Sequence, residues 1–393
     1  MNIVVIFINI GTYHAARLRA FNAMCQQSHW TMTAIQLTDD FLDHPWGKLN
    51  DLIDFPIVTL KAQKASNATT TKKTTQRELF RLLSQCLAAL KPDVMVIPGW
   101  GYPISRAAIR WSTRHHVPAV LMSESKSDDT PRIWWKEKLK SFFYIRHFKS
   151  ALVGGNLHRH YLVQLGMPKN AVFLGYDVVD NDYFTRYSHQ ARQNSQLTRQ
   201  QQAQIPHRPY FIAVTRLIPR KNVTRMIAAF AQYRQIVPAE KAWDLVICGN
   251  GPEREKIENH IQSYGLATSI HLPGFQTYQS IPQWFGLASA FIHPALSEQW
   301  GLVVNESLAS KLPALVSNRC GCYPELIVEG VNGFGFDPEN VHQLATLMTK
   351  VSSGEIDLNQ MQEAALTHIQ KFSPQIFARG LTQAINCALK NNE

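Results

Sequence analysis

Short aliphatic and β-branched runs alternate with amphipathic stretches along this chain, and that alternation constrains the fold more than any other feature. In the first half the runs are NIVVIFI at 2–8, VMVIP at 94–98, PAVLM at 118–122 and ALVGG at 151–155. Helical patterns at 76–90 and 103–115 lie between them. Parallel strands need connections long enough to hold a helix, so the pattern predicts a parallel sheet covered by helices.

The alternation restarts with YFIAVT at 210–215, a helical pattern at 222–236, WDLVICG at 243–249, a helix from Pro252, and then SIHL, AFIH and ALVS as strands. A chain of 393 residues that is 45% hydrophobic exceeds the usual single-domain size, so two doubly wound α/β domains are expected. Between the two series, residues 186–208 hold seven glutamines, no acidic residue and few large apolar ones, and read as a polar linker. The domains are then 1–185 and 209–373. The pattern from Pro374 to Leu389 is helical; its length leaves its docking open, and 374–393 is grouped with the first domain as a helix packing back on it. Residues 61–76, KAQKASNATTTKKTTQ, have almost nothing to bury and read as an exposed basic loop.

The six cysteines are scattered, and the apolar start lacks the basic region of a secretory signal. A reducing, cytoplasmic setting fits. No apolar run approaches the roughly 20 residues that cross a bilayer. Cys320 and Cys322 form a Cys-x-Cys pair without a second pair at zinc-ligand spacing, so no metal is expected. A formal charge of +11 invites a polyanion: nucleic acid, an acidic membrane surface or a phosphorylated substrate. No zinc-finger, helix-turn-helix or RNP-like pattern accompanies the charge, which argues against nucleic acid.

Three stretches of the second domain fall where a doubly wound fold presents its strand ends, the usual place for ligands. VTRLIPRKN runs off a strand and puts Arg216 and Lys221 on one loop beside a helix N-terminus, a setting suited to a pyrophosphate. Two solvated cations would explain that pair taken alone. CGNGPERE offers Gly249 and Gly251 for a tight turn and close ligand approach, with Pro252 at the first helical position, although a plain βα turn would look the same. SEQWGLVVNES sets Glu298 just ahead of a helix expected from about Gly301 to before Pro313, with Glu306 inside it. Carboxylates there would repel phosphate unless they point at hydroxyls, which a sugar supplies. Amides around Gly301 and Leu302 lie in the first turn, where no intrahelical carbonyl accepts them.

Arg216, Lys221, GNGP, the Glu298-x7-Glu306 spacing within EQWGLVVNES, and CYPELIVEGVNGFGFDP together resemble the retaining GT-B glycosyltransferases of the family 4 type. The resemblance is dense over 205–340; in the first domain GYDVVDNDYF and NIGTYHAARL match more loosely. It implies a GT-B fold, two Rossmann-like domains facing each other across a cleft, with a nucleoside-diphosphate sugar in the second domain and a glycan, lipid-linked or other hydroxyl acceptor on the first. The donor it implies is UDP-linked more often than GDP-linked, with no metal and no cofactor.

Carried over by position, Arg216 and Lys221 would hold the diphosphate, Glu298 the donor sugar and Glu306 the ribose. Backbone at Trp300, Gly301 and Leu302 would meet sugar and phosphate oxygens. Gly249 and Gly11 would line the donor, and Gln276, beside Phe275, would lie near the base. Ser123, Glu124 and His14 would stand on the acceptor side, Glu124 where many relatives carry a histidine. The usual Gly-Gly before Pro-Glu is CGCYPE here, keeping only Gly321. Within the same fold, a sugar-nucleotide epimerase or a sugar-phosphate synthase is the alternative. Finally, residues 132–149 carry six cations against one acid, interleaved with Trp and Phe. They suit peripheral contact with an anionic membrane, and equally a core-packing helix with a basic exposed face.

Overall fold

The computed structural model describes residues 1–38, 53–60, 75–129 and 132–392. The basic loop read at 61–76 lies outside them except for Thr75 and Gln76, which open a helix: the Thr75 hydroxyl accepts from the Glu78 amide at 3.2 Å.

Two compact units share the chain. The first comprises Met1–Val178 and Ser373–Glu393, the second Val179–Phe372. Unit one contains β1 (Asn2–Phe7), α1 (Thr12–Gln27), β2 (Thr31–Gln36), β3 (Ile57–Thr59), α2 (Gln76–Leu90), β4 (Val94–Pro98) and α3 (Pro103–His115). It continues with β5 (Ala119–Ser123), α4 (Trp134–Phe143), β6 (Ser150–Val153), α5 (Asn156–Gln164) and β7 (Val172–Leu174). The described strands form one parallel sheet ordered β3-β2-β1-β4-β5-β6-β7. Because helices cover both faces, β1 is buried continuously from Ile3 to Phe7 rather than alternately, which made this strand readable.

Unit two contains α6 (Asn181–Gln193), α7 (Ser195–Gln201), β8 (Tyr210–Val214), α8 (Val223–Ile236), β9 (Asp244–Cys248), α9 (Arg254–Ser263), β10 (Ile270–Gly274) and α10 (Ile281–Leu287). Then come β11 (Ala290–His293), α11 (Leu302–Ala309), β12 (Ala314–Ser317), α12 (Tyr323–Leu326), β13 (Gly333–Phe336), α13 (Val341–Ser352) and α14 (Leu358–Ile369). Its parallel sheet runs β10-β9-β8-β11-β12-β13, so the strand order reverses between β8 and β11. The chain ends in α15 (Pro374–Lys390), which packs on α1 of unit one. Its Gly380 lets the helix close on β7, since a Cβ there would lie 2.4 Å from the Leu174 carbonyl oxygen.

Two expectations change. The segment 186–208 is no linker: α6 and α7 occupy most of it, Phe184, Ser188 and Ala191 are buried on one side of α6, and the boundary falls at 178/179. Ser188 packs so closely on α10 that a Cβ at Gly286 would meet its carbonyl oxygen at 2.6 Å. The helix expected from Pro252 begins at Arg254, with Glu253 as its N-cap, so Pro252 stands in the preceding turn instead of the first helical position.

Candidate functional site

In an open doubly wound sheet, ligands sit outside the carboxyl ends of the strands where the order reverses. In unit two this point lies between the loops that follow β8 and β11. Backbone and side-chain bonds fix those two loops against each other. The Leu296 amide donates to the Arg220 carbonyl at 2.9 Å. Asn222, in the left-handed region at φ 60°, donates through Nδ2 to the carbonyls of Pro294 (3.0 Å) and Pro338 (2.7 Å).

The β9–α9 turn holds the β8 loop from the other side. Thr215 N–H donates to Cys248 O and Leu217 N–H to Asn250 O, both at 2.9 Å, and Glu253 N–H donates to Leu217 O at 3.0 Å. The two glycines of the turn make this possible: a Cβ on Gly249 would lie 1.8 Å from the Thr215 carbonyl oxygen, and one on Gly251 would lie 2.4 Å from that of Leu217. Their small size is required by this loop-on-loop packing.

Charge converges on Glu298. Its carboxylate, 13% exposed, takes an ion pair from Lys221 Nζ, lies 3.3 Å from Arg220 Nη1, and has His293 Nε2 at 3.8 Å. Burial alone would push this carboxyl up; His293 and Lys221 more than reverse that and hold it well below the usual carboxylate range. His293, closing β11, is buried to 1% and its pKa is driven down by burial, with Glu298 opposing. Arg216, on the same loop as Lys221, is exposed, and no ion pair engages it among the described residues. The loop therefore keeps cationic charge beyond what Glu298 neutralises.

Gly301 is the N-cap of α11 at φ +107°, a conformation that suits glycine. A Cβ there would touch Glu298 Cγ and His293 Nε2 at 3.4 Å and Cys322 Sγ at 3.5 Å. The glycine thus brings the helix N-terminus onto the ionic cluster. Trp300 is a buried support: its indole N–H donates to Asn305 Oδ1 at 2.8 Å. The Cys-Gly-Cys loop runs alongside as a short parallel bridge, Gly321 N–H to Glu298 O (3.1 Å) and Cys322 N–H to Trp300 O (3.2 Å). Both cysteines are buried. Glu306 lies one turn into α11 and is 4% exposed.

The far end of α11 is fixed by α6, whose second half falls in the segment expected to be a linker. Thr185 donates to Ala309 O at 2.8 Å and Arg192 to Ser310 O at 2.6 Å, satisfying carbonyls that the helix itself leaves open.

The remaining expected residues fall into other settings. Gln276 is held through its own side chain, accepting from Trp284 Nε1 at 3.0 Å, while neighbouring Phe275 is 51% exposed. In unit one, Gly11 caps α1 and its amide donates to His14 Nδ1 at 3.2 Å. Burial, with Arg17 nearby, takes His14 down to about 3, so the ring is neutral. Ser123 ends β5, buried, and accepts from the Ser125 amide at 3.2 Å. Glu124 interacts with Asp177, whose buried carboxyl is pushed up first by burial and then by Glu124, against the pull of Arg17.

Sequence reading missed Arg220, His293 and Asn222 in unit two, and buried Arg17 and Asp177 in unit one, where Arg17 donates to Val178 O at 3.0 Å. A polar residue ending an apolar strand, as in AFIH, was the available signal for His293. Among the described residues, no group of three or more His, Cys, Asp or Glu is placed to hold a metal ion.

Residues 194–368 match the glycosyl transferases group 1 family, a span that contains every member of this cluster. The chain is similar to probable sucrose-phosphate synthase 1 of Oryza sativa subsp. indica, 27% identical over 203 residues, which cover 47% of this chain and 18% of that protein. It thus spans under a fifth of the length of that relative. Among solved structures it is similar to a glycosyltransferase from Rickettsia africae ESF-5, with a TM-score of 0.75 at 14% identity over 99% of both chains. It is also similar to Anabaena HepE in complex with UDP and glucose, with a TM-score of 0.73 at 16% identity over 98% of this chain and 99% of that one. At these identities the likeness establishes the fold: the GT-B class, built of two Rossmann-like domains.

Proposed function

We propose that the chain is a retaining glycosyltransferase that moves a sugar from a UDP-linked donor to a hydroxyl acceptor, such as a glycan or a lipid-linked glycoconjugate, in the cytoplasm. The observation that carries this reading is the cationic cluster of Arg220 and Lys221 around Glu298 at the switch point, followed at once by a helix N-terminus and buried Glu306. A diphosphate needs positive charge and open amides, while sugar and ribose hydroxyls need acceptors; this arrangement supplies both. HepE, of like fold, was solved with UDP and glucose, which favours uridine as the base.

In the reaction, the diphosphate takes Lys221 and Arg216 as counter-charges, and Glu298, released from Lys221, accepts from a donor-sugar hydroxyl. Glu306 accepts from the ribose. The bond between the anomeric carbon and the phosphate oxygen breaks as the acceptor oxygen bonds to that carbon from the same face. The acceptor proton passes to a departing phosphate oxygen, giving UDP and the glycoside. No side-chain base is required, and electrostatic support of the departing diphosphate is the main contribution of the protein.

A second reading, a sugar-phosphate synthase, is favoured by the likeness to sucrose-phosphate synthase. Its acceptor would carry a phosphate. The test is a panel of nucleoside diphosphates and their sugars assayed by thermal protection, followed by transfer assays with plain and phosphorylated sugars as acceptors. Glu306→Ala is expected to weaken binding of UDP, and Lys221→Ala to lower turnover by about two orders of magnitude. Parent-like binding and transfer in both variants would overturn the site.

A further inference from the structure

Helix α4 is assembled inside out. Its inward side is polar: the Tyr161 hydroxyl donates to Glu137 Oε2 at 2.6 Å, Lys140 Nζ donates to Glu137 Oε1 at 2.9 Å and meets the Tyr161 oxygen at 2.8 Å, and Ser141 donates to Leu165 O at 2.5 Å. None of its ten residues is buried. The apolar side chains are exposed instead: Trp134 by 70%, Phe143 by 55%, Phe142 by 54%, Trp135 by 48%, Leu139 by 46%, and Ile133 just before the helix by 43%. At about 100° per residue, the five on the helix share one half of its circumference, and Glu137, Lys140 and Ser141 share the other.

A soluble surface rarely leaves so many large apolar groups together without an occupant. The segment is also firmly based, because Ile145 and Phe148 immediately after it are buried in the core of unit one. The cations decide what the occupant is. Lys138 Nζ lies 5.1 Å from the Trp134 ring centre, Lys136 Nζ lies 5.4 Å from that of Trp135, and the Arg146 guanidinium lies 4.0 Å over Phe142. Aromatic rings with cations set among them match the boundary of an anionic bilayer, where rings enter the headgroup layer and cations stay with the phosphates. Pairing of this face with a second copy would instead oppose like charges.

We propose that the outward face of α4 is a docking surface for an anionic lipid bilayer. Lys140 Nζ also lies 5.6 Å from the ring centre of Trp100, which follows β4. The inward side of α4 therefore borders the carboxyl-end rim of the first sheet, so docking through the opposite face would bring an acceptor carried on a lipid to within about a helix's width of that rim. The docking surface stands on its own geometry, whether or not the switch-point site transfers sugar.

The test is co-sedimentation of the full chain with vesicles of phosphatidylcholine alone and of phosphatidylcholine with one third phosphatidylglycerol. Binding is expected only to the anionic vesicles, weakening with salt and accompanied by a blue shift of tryptophan fluorescence. At about five-fold per surface cation, the triple variant Lys136→Gln, Lys138→Gln, Arg146→Gln should bind about a hundred-fold more weakly. Trp134→Ser with Phe143→Ser should lose the blue shift while keeping the parent's melting temperature, since both side chains are exposed. Absence of binding, or equal binding to both vesicle types, would overturn the proposal. So would self-association in buffer that the Trp134→Ser, Phe143→Ser variant abolishes, because the face would then serve a second copy.

Discussion

Replacing Glu298 by Gln should tighten UDP binding while slowing transfer, two effects of opposite sign from one substitution. The carboxylate occupies the cation a diphosphate would use: Lys221 Nζ is ion-paired to it, and Arg220 Nη1 stands at 3.3 Å. For a pair about 3.5 Å apart at an effective dielectric of about 20, the attraction is roughly 5 kcal/mol, before desolvation is subtracted. An entering phosphate must displace that interaction in the parent and meets little of it in the variant. If about a quarter of it survives desolvation as a net difference, UDP affinity rises by roughly ten-fold.

The same substitution leaves Lys221 and Arg220 without their anion, so the ligand-free variant should lose about 1–3 kcal/mol of stability. Because the folded pKa of Glu298 lies below its unfolded value, its contribution is full above the ordinary carboxylate range and disappears as pH falls toward the folded value. The variant should lack that acid-dependent loss. Calorimetric titration with UDP and melting curves with and without UDP read both effects, and Lys221→Met should shift affinity the other way. UDP binding by Glu298→Gln no tighter than in the parent would show that the carboxylate does not compete for Lys221, and the exchange of partners proposed for the reaction would fail with it.

Gly249→Ala should cost about 3–5 kcal/mol, since its Cβ cannot coexist with the Thr215 carbonyl 1.8 Å away and the three backbone bonds between the turns would separate. Gly265→Ala, also at positive φ but in open space, should cost only about 1 kcal/mol, and equal urea midpoints for the two would refute the loop-packing argument. His14 has a folded pKa of about 3 against an ordinary 6.5, so the unfolded chain takes up the proton first and stability falls with pH below about 6.5. That amounts to roughly 2 kcal/mol by pH 5, and His14→Gln should flatten the dependence of urea midpoint on pH over that interval. An unchanged slope would mean the ring is not held neutral.

What could be read from the sequence was set by how each element is buried. β1 and β9 lie inside parallel sheets and show as unbroken apolar runs, whereas β3 and β7 are three residues long and β13 is Gly-Phe-Gly-Phe, too short or too glycine-rich to announce a strand. Segment 186–208 misled because its contacts are small: with Phe184 just before it, Ser188 and Ala191 follow at helical spacing, but only the phenylalanine is large, and the glutamines obscure the pattern. The same logic governs the site. Glu298 and Lys221 could each be suspected, because each follows an apolar run expected to end at a ligand-bearing rim. Their pairing across 77 positions could not, since proximity in sequence says nothing about it. What joins them is strand order. When the chain returns from β10 it passes over β9 and β8 and enters the sheet on the far side of β8 as β11, so the loops after those two strands become neighbours. The ionic cluster is thus a product of topology: any order that did not seat β11 beside β8 would leave Lys221 without Glu298, and the glycine-capped helix without a charged site to face.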